Sequence, residues 1–229
     1  MDWVSFWDGA HSIYVNDRHK QVHYARITAD IAALLPGPNV RVLDYGCGEA
    51  WGAEPLSRVC ASLALADAAP TLRAKLKERF AGNSKITVLS PEETAAQPAG
   101  SFDVVIVNSL LQYLSRADFI ALLAVWRRVL APGGTLIIAD VIPPGVSAVK
   151  DAAALLAFGA REGFLVAAFI GLARTAVSPY RKLRADLGLA MYEEANILAL
   201  IRAAGFAVER LPTNIGHNQA RMAFRAVPQ

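Results

Sequence analysis

The sequence predicts an α/β fold: a doubly wound, Rossmann-like sheet, mostly parallel, with an antiparallel last strand and a helical insertion after the fifth strand. Three observations predict it. Short apolar runs alternate with helix-like segments from Val40 to Asp140. One of those runs, FDVVIV, is apolar almost throughout, as strands covered on both faces are. A helix followed by two strands closes the chain over 192–226.

The elements follow in order. Asp17 to Leu34 reads as an N-terminal helix within a 1–36 segment placed to cover a ligand mouth. Val40 to Asp44 is a first strand, ending in an acid and followed by glycines and a helix to about Cys60. Leu63 to Asp67 is a second strand, and Pro70 opens a helix to Phe80, because proline suits a first helical turn. Ile86 to Leu89 is the third strand and Phe102 to Val107 the fourth. Ser115 caps a helix to Leu130, Pro132-Gly133-Gly134 makes a turn, and Thr135 to Asp140 is the fifth strand. Ser147 to Leu187 forms the insertion. Tyr192 to Ala204 is a helix stopped by Gly205, leading to strands Ala207–Leu211 and Gln219–Ala226 joined through Pro212 to Asn218 as an antiparallel hairpin at the sheet edge. Without repeats or a low-complexity linker, the 229 residues read as one domain with a 40–140 ligand-binding core, a 147–187 insertion and the 192–226 terminal unit.

Composition narrows the function. The chain is 54% hydrophobic and 19% charged with a net charge of +3, and its mean hydropathy is +0.32. No lysine/arginine block is interleaved with aromatics, so no nucleic-acid partner is indicated. Cys47 and Cys60 form neither a CxxC pair nor a secreted framework, which suits a reduced, cytoplasmic setting. The start, MDWVSFWDG, has acids and no basic region and does not resemble a signal peptide. The apolar run from Gly163 to Ala173 is far short of the roughly 20 residues needed to span a membrane.

The string VLDYGCGE, from Val42 to Glu49, carries most of the chemistry. Alternate glycines after a strand let a ligand approach the backbone. A dinucleotide loop needs a third glycine facing a pyrophosphate, but Trp51 stands at that place and Glu49 would repel phosphate. Asp44 suits a cation better. S-adenosylmethionine is such a ligand, with a sulfonium, an ammonium, one carboxylate and no phosphate. Asp44 can hold the ammonium directly or through water, loop N–H groups the carboxylate, and Asp67, at the end of the second strand, the ribose hydroxyls. Each residue has a plainer reading as well: Asp67 as a helix cap, Asp44 as an acid bonding loop amides, and Cys47 as a small filler between glycines. An NAD-dependent oxidoreductase and a non-catalytic nucleotide-binding relative remain the competing functions.

VLDYGCG, LALAD, FDVVIVNSLLQYL and LAPGGTLIIAD, in that order, resemble the class I S-adenosylmethionine-dependent methyltransferases over about Val40 to Asp140. The resemblance implies an antiparallel seventh strand, which Gln219–Ala226 fits, and S-adenosylhomocysteine as product. It implies that Gly46, Cys47 and Gly48 line the methionine moiety, that Asp44 supports the loop, that Asp67 with Ala68 binds ribose, and that Asn108, Ser109 and Leu110 lie beside the methyl group. Ala50 replaces the family's usual third glycine. Pro91 stands where the family often has an acid for the adenine amino group, and Glu92 is the nearest substitute.

On the acceptor side, His23, His217 and Asp140 are the candidate bases, although many enzymes of this family work without one. Tyr14, Tyr24, Gln112 and Tyr113 are the candidate acceptor-binding residues. His19 and His23 stand four apart on a helix, but no further ligand pattern accompanies them, so no metal is expected. The insertion is rich in Ala, Leu and Phe and is followed by SPYRKLR, with Arg181, Lys182 and Arg184. It reads as an apolar acceptor lid, as a face resting on an anionic membrane surface, or as a core or homodimer helix. The first two favour a small, apolar or lipid-like substrate, O- or N-methylated, and a cytoplasmic protein with peripheral membrane contact.

Overall fold

The computed structural model describes residues 3–9, 14–176 and 188–229. Seven strands form one sheet: β1 (Arg41–Tyr45), β2 (Ser62–Ala66), β3 (Ile86–Leu89), β4 (Phe102–Asn108), β5 (Leu130–Val141), β6 (Phe206–Arg210) and β7 (Met222–Pro228). Their order is β3-β2-β1-β4-β5-β7-β6. The first five run parallel, while β7 pairs antiparallel with both β5 and β6. The doubly wound sheet with an antiparallel last strand is therefore present as the sequence predicts.

Alternation along the strands explains the layering. On β4, Val105 and Val107 face one core with Leu123 and Trp126 of α6 (Arg116–Val129). Val104 and Ile106 face the other, with Leu56 of α3 (Ala53–Arg58) and Leu76 of α4 (Pro70–Arg79). Successive side chains of a strand point to opposite faces, so an apolar run without alternation needs cover on both sides. Ser115 caps α6 by accepting a bond from Asp118 N, as its position before the apolar run implies.

Three local expectations are corrected. First, β5 begins at Leu130, not Thr135: Leu130 pairs with Phe102 and Thr135 with Val104, so residues 131–134, the proline–glycine–glycine stretch included, make an irregular detour within the strand. Second, a short helix, α5 (Pro91–Ala95), follows β3, with Ser90 and Glu93 closing a capping box. Third, Trp3–Trp7 forms a helix, α1, ahead of the long helix α2 (Asp17–Leu34).

The described part of the insertion is a helical pair, α7 (Ala148–Glu162) and α8 (Leu165–Ala176). Phe158, Phe164 and Ala168 bury themselves against Val15 and Val22 at the start of α2. Gly171 allows this approach, since a Cβ there would meet Val15 Cγ1 at 2.0 Å. Arg221 of the β6–β7 connection and Asp151 of α7 tie the pair to the sheet through a half-buried ion pair at 2.8 Å. The far side of α8 is apolar and open, with Val166, Phe169 and Ile170 exposed. The basic cluster Arg181, Lys182 and Arg184 lies outside the described residues. Among the described residues, no helix is long and apolar enough to cross a membrane. The final helix, α9 (Glu194–Ala203), leads into β6 through Gly205.

Candidate active site

A cavity of about 590 Å³ opens at the carboxyl ends of β1, β2, β4 and β5, the usual place for a ligand in a sheet of this kind. It gathers Asp44, Gly46, Cys47, Gly48, Asp67, Ala68, Asn108, Ser109, Leu110 and Asp140 at the strand ends, with Gln112 and Tyr113 beyond β4 and Tyr14, His23 and Tyr24 from the α2 side. Every sequence-selected residue except Glu92 and His217 therefore lines one space. Glu92 sits exposed in the first turn of α5, where it accepts the Ser90 hydroxyl at 2.7 Å, while its neighbour Pro91 faces the cavity. His217 stacks flat on Phe158 at 4.6 Å, outside the cavity wall.

The glycine bend is fixed from below. Gly46 N and Cys47 N both donate to Ala66 O at the end of β2, and Gly48 N donates to Asp67 Oδ2 at 3.0 Å. These three amides are thus already engaged, which departs from the expectation that loop N–H groups receive a ligand carboxylate. What the bend offers is clearance. At Gly48 (φ +54°) a Cβ would meet nothing within 4 Å, so a side chain there would project into space a ligand can use. At Gly46 (φ +81°) it would press on Leu110 at 3.1 Å. Ala50, in place of a glycine, sits at φ +46°. That costs about 1–2 kcal/mol of backbone strain, partly offset by burying its methyl and by restricting the unfolded chain.

Two acids give the cavity its electrostatic character. Asp44 lies at the end of β1; burial, and secondarily the charge of Asp67, push its carboxyl up to about 7. Burial also raises Asp67, opposed by the amides of Ala69 and Gly48. Ala69 N meets Asp67 Oδ1 at 2.9 Å, an Asx-type turn just ahead of α4 rather than a cap on it. A carboxylate has about four acceptor positions, however, and the two amide bonds fill only half of them. Two acids side by side, both raised by burial, make a site that gains by admitting a cation. Burial drives the Cys47 thiol well above its ordinary value, which leaves it inert and suits a filler between glycines.

The α2 side is aromatic. Tyr14 and Tyr24 stand 5.7 Å apart, ring to ring, and burial raises Tyr14 to about 12. Burial, with His217 and His19 adding to it, lowers His23 to about 3, so its ring is neutral near pH 7. His19 is stacked on Phe164 at 4.8 Å and accepts from Val15 N, a core histidine. Among the described residues, no group of three or more His, Cys, Asp or Glu side chains is arranged to hold a metal ion.

Sequence reasoning missed α1. Its Trp3 and Trp7 line the cavity and pack on Tyr113 at 4.7 and 5.5 Å. The following Asp8 accepts from Thr71 N, Thr71 Oγ1 and Leu72 N, capping α4 from outside where its own cap residue, Ala69, has no side-chain acceptor. The only available signal was a run of three aromatics in five residues. None of the described insertion residues lines the cavity, so the cover seen here comes from α1 and α2 instead.

Comparison with known proteins agrees with this geometry. Residues 43–138 match the family model described as a methyltransferase domain. A protein of Cereibacter sphaeroides named ubiquinone biosynthesis O-methyltransferase is 34% identical over 116 residues, 49% of this chain and 46% of its own length. The chain thus spans about half the length of the curated relatives it matches. Magnesium protoporphyrin IX methyltransferase from Synechocystis, solved with bound S-adenosylhomocysteine, superposes with a TM-score of 0.59 at 18% identity, covering 98% of this chain and 92% of that one. The [4+2]-cyclase SpnF superposes with a TM-score of 0.57 at 15% identity, over 89% of this chain and 80% of that one. These structural likenesses concern the fold; activity depends on the site.

Proposed function

For a chain whose residues 43–138 match the family model described as a methyltransferase domain, and whose fold resembles that of a solved methyltransferase, we propose that it transfers the methyl group of S-adenosylmethionine to an oxygen of a small, largely apolar acceptor. The observation that carries this reading is the pair of half-buried acids, Asp44 and Asp67, at adjacent strand ends beside a bend whose missing side chain at Gly48 leaves the cavity open. A diphosphate would face two acids and Glu49; a cationic nucleoside gains from both.

When bound, S-adenosylmethionine supplies an electrophilic methyl group on a sulfonium. Asp67 holds the ribose hydroxyls with its remaining acceptor positions, and Ala68 and Pro91 border the same end. Asp44 faces the ammonium. Because the amides of the bend are engaged, the carboxylate takes its donors from elsewhere in the cavity wall, which includes Tyr14, Tyr24 and Lys75. Trp3, Trp7 and Tyr113 close the space against water, which strengthens every charge interaction inside it and holds the reacting groups in line.

An oxygen acceptor draws support from the name of the Cereibacter sphaeroides relative, and an apolar one from the aromatic walls. The test is transfer of a labelled methyl group from S-adenosylmethionine to ring-bearing hydroxyl compounds such as catechol and 3,4-dihydroxybenzoate. Label should appear in the arene in proportion to S-adenosylhomocysteine formed. Label confined to an amine acceptor, or none transferred to any acceptor, would refute the reading.

A further inference from the structure

Two residues at the floor of the cavity adopt a backbone conformation that L side chains avoid. Ser109, just after β4, has φ +57°, and Asp140, near the end of β5, has φ +59°. They are locked to one another: Ser109 Oγ donates to Asp140 Oδ2 at 2.8 Å, and Ser109 N donates to Ala139 O. From the other side Asn214 Oδ1 accepts from Asp140 N at 2.9 Å. Non-glycine residues persist in this region only where the surroundings over-determine them, and such places concentrate at working sites. Here the effect is to hold a half-buried carboxylate in the cavity lining from a rigid mount.

A second observation points to what meets it. Asn108 Oδ1 and Gln112 Oε1 are buried without a partner among the described residues, and both residues line the cavity. Carbonyl oxygens can only accept, so an occupant that satisfies them brings hydrogen-bond donors. The floor is therefore a set of acceptors that favours an occupant carrying hydrogen-bond donors, as a hydroxyl does.

We propose that Asp140, oriented by Ser109, is the catalytic base that takes the proton from the hydroxyl of the methyl acceptor. This rests on the methyl-transfer reading above. As the acceptor oxygen forms its bond to the methyl carbon, the carbon–sulfur bond breaks, the sulfonium becomes a neutral thioether, and the hydroxyl proton passes to the Asp140 carboxylate and later to water. The other candidates are weaker. His217 stands outside the cavity on Phe158. His23 lines it, but burial acts oppositely on the two chemistries: it lowers the imidazole to about 3 and raises the Asp140 carboxyl, against the opposing charge of Arg221 and with that of Asp151. Inside this cavity the carboxylate is the stronger base.

The test compares two arenes of nearly one shape: catechol, whose hydroxyl must lose its proton, and 4-nitrocatechol, which is already ionised at pH 8. Calorimetry with S-adenosylhomocysteine and with catechol monitors the site independently of turnover. D140N should lower catechol turnover roughly 100-fold and change 4-nitrocatechol turnover less than about threefold, with both binding affinities kept. S109A, which leaves the carboxylate but frees its orientation, should show the same selectivity at a smaller amplitude, and it stands in if D140N does not fold. An equal loss on both arenes, or no loss on catechol, would overturn the assignment. If the wild-type protein methylates neither arene while still binding S-adenosylhomocysteine, the hydroxyl-acceptor reading fails and the role of Asp140 goes with it; failure to bind the nucleoside would instead remove the methyl-transfer reading itself.

Discussion

Alanine at position 67 is expected to weaken S-adenosylhomocysteine binding by about 3 kcal/mol or more, roughly 100-fold. Asp67 is proposed to accept both ribose hydroxyls, and charge-assisted bonds are worth about 1.5–3 kcal/mol each when lost. The same carboxylate holds Gly48 N and Ala69 N, so the glycine bend loosens too. Folding should suffer little by comparison, because the acid carries a desolvation penalty that alanine removes, as its raised pKa indicates. Asp67→Asn retains one carbonyl acceptor and should fall between the two. Isothermal titration of the three proteins checks this ordering, and an unchanged affinity in Asp67→Ala would remove the ribose assignment.

Trp126→Ala should cost about 3–5 kcal/mol of folding stability, the usual loss for emptying a large aromatic site in a core. Trp126 is fully buried on α6, edge-on to Tyr45 at 5.4 Å and near Phe119 at 6.4 Å. Against a total of about 5–15 kcal/mol for a typical domain, the midpoint of thermal unfolding should fall by about 10 °C or more. The loss also reaches the site, since Tyr45 is the residue before Gly46. Its packing on Trp126 steadies the strand end from which the bend departs. Donor affinity measured well below the unfolding midpoint should therefore drop modestly as well. Trp126→Phe keeps most of the apolar volume and removes an indole N–H that finds no partner among the described residues; it should recover most of the stability. A midpoint within 2–3 °C of wild type for Trp126→Ala would contradict the packing account, given the magnitudes above.

The donor side of this site is legible in the sequence because its physics is local. A strand that ends in an acid, a bend that needs bare backbone, and a second strand ending in another acid are each written in adjacent residues. Asp44, Gly46, Gly48 and Asp67 accordingly come together as expected. The strands were legible for a similar reason, since a run buried on both faces cannot hide among polar residues. Their ends were less so. The PGG of LAPGGTL reads as a turn by local preference, yet pairing with β4 resumes on either side of it.

The sequence is less informative where position depends on distant contacts. Glu92 is an acid beside the expected place, but the capping box of Ser90 and Glu93 starts a helix there and turns Glu92 outward. His217 was placed by its loop, and the flat contact with Phe158 of the insertion takes it elsewhere. The α1 cover depends on Asp8 reaching the start of α4, more than sixty positions away, a pairing no local pattern reports. The left-handed pair Ser109 and Asp140 is likewise invisible, because serine does not favour that region and Asp140, though aspartate enters it more readily, reads locally as the end of a strand.

The central claim is that a glycine bend between two half-buried acids forms a cradle for a cationic nucleoside. Calorimetric titration of the protein with S-adenosylhomocysteine and with NAD, each at pH 8 and pH 6, tests it most directly. Asp44 must be ionised to face an ammonium, and its carboxyl lies at about 7 in the free protein. S-adenosylhomocysteine should therefore bind one to one at pH 8 and lose affinity toward pH 6, approaching about tenfold per unit below 7, while NAD gives no binding heat at either pH. Tight binding of NAD with none of S-adenosylhomocysteine would contradict the account.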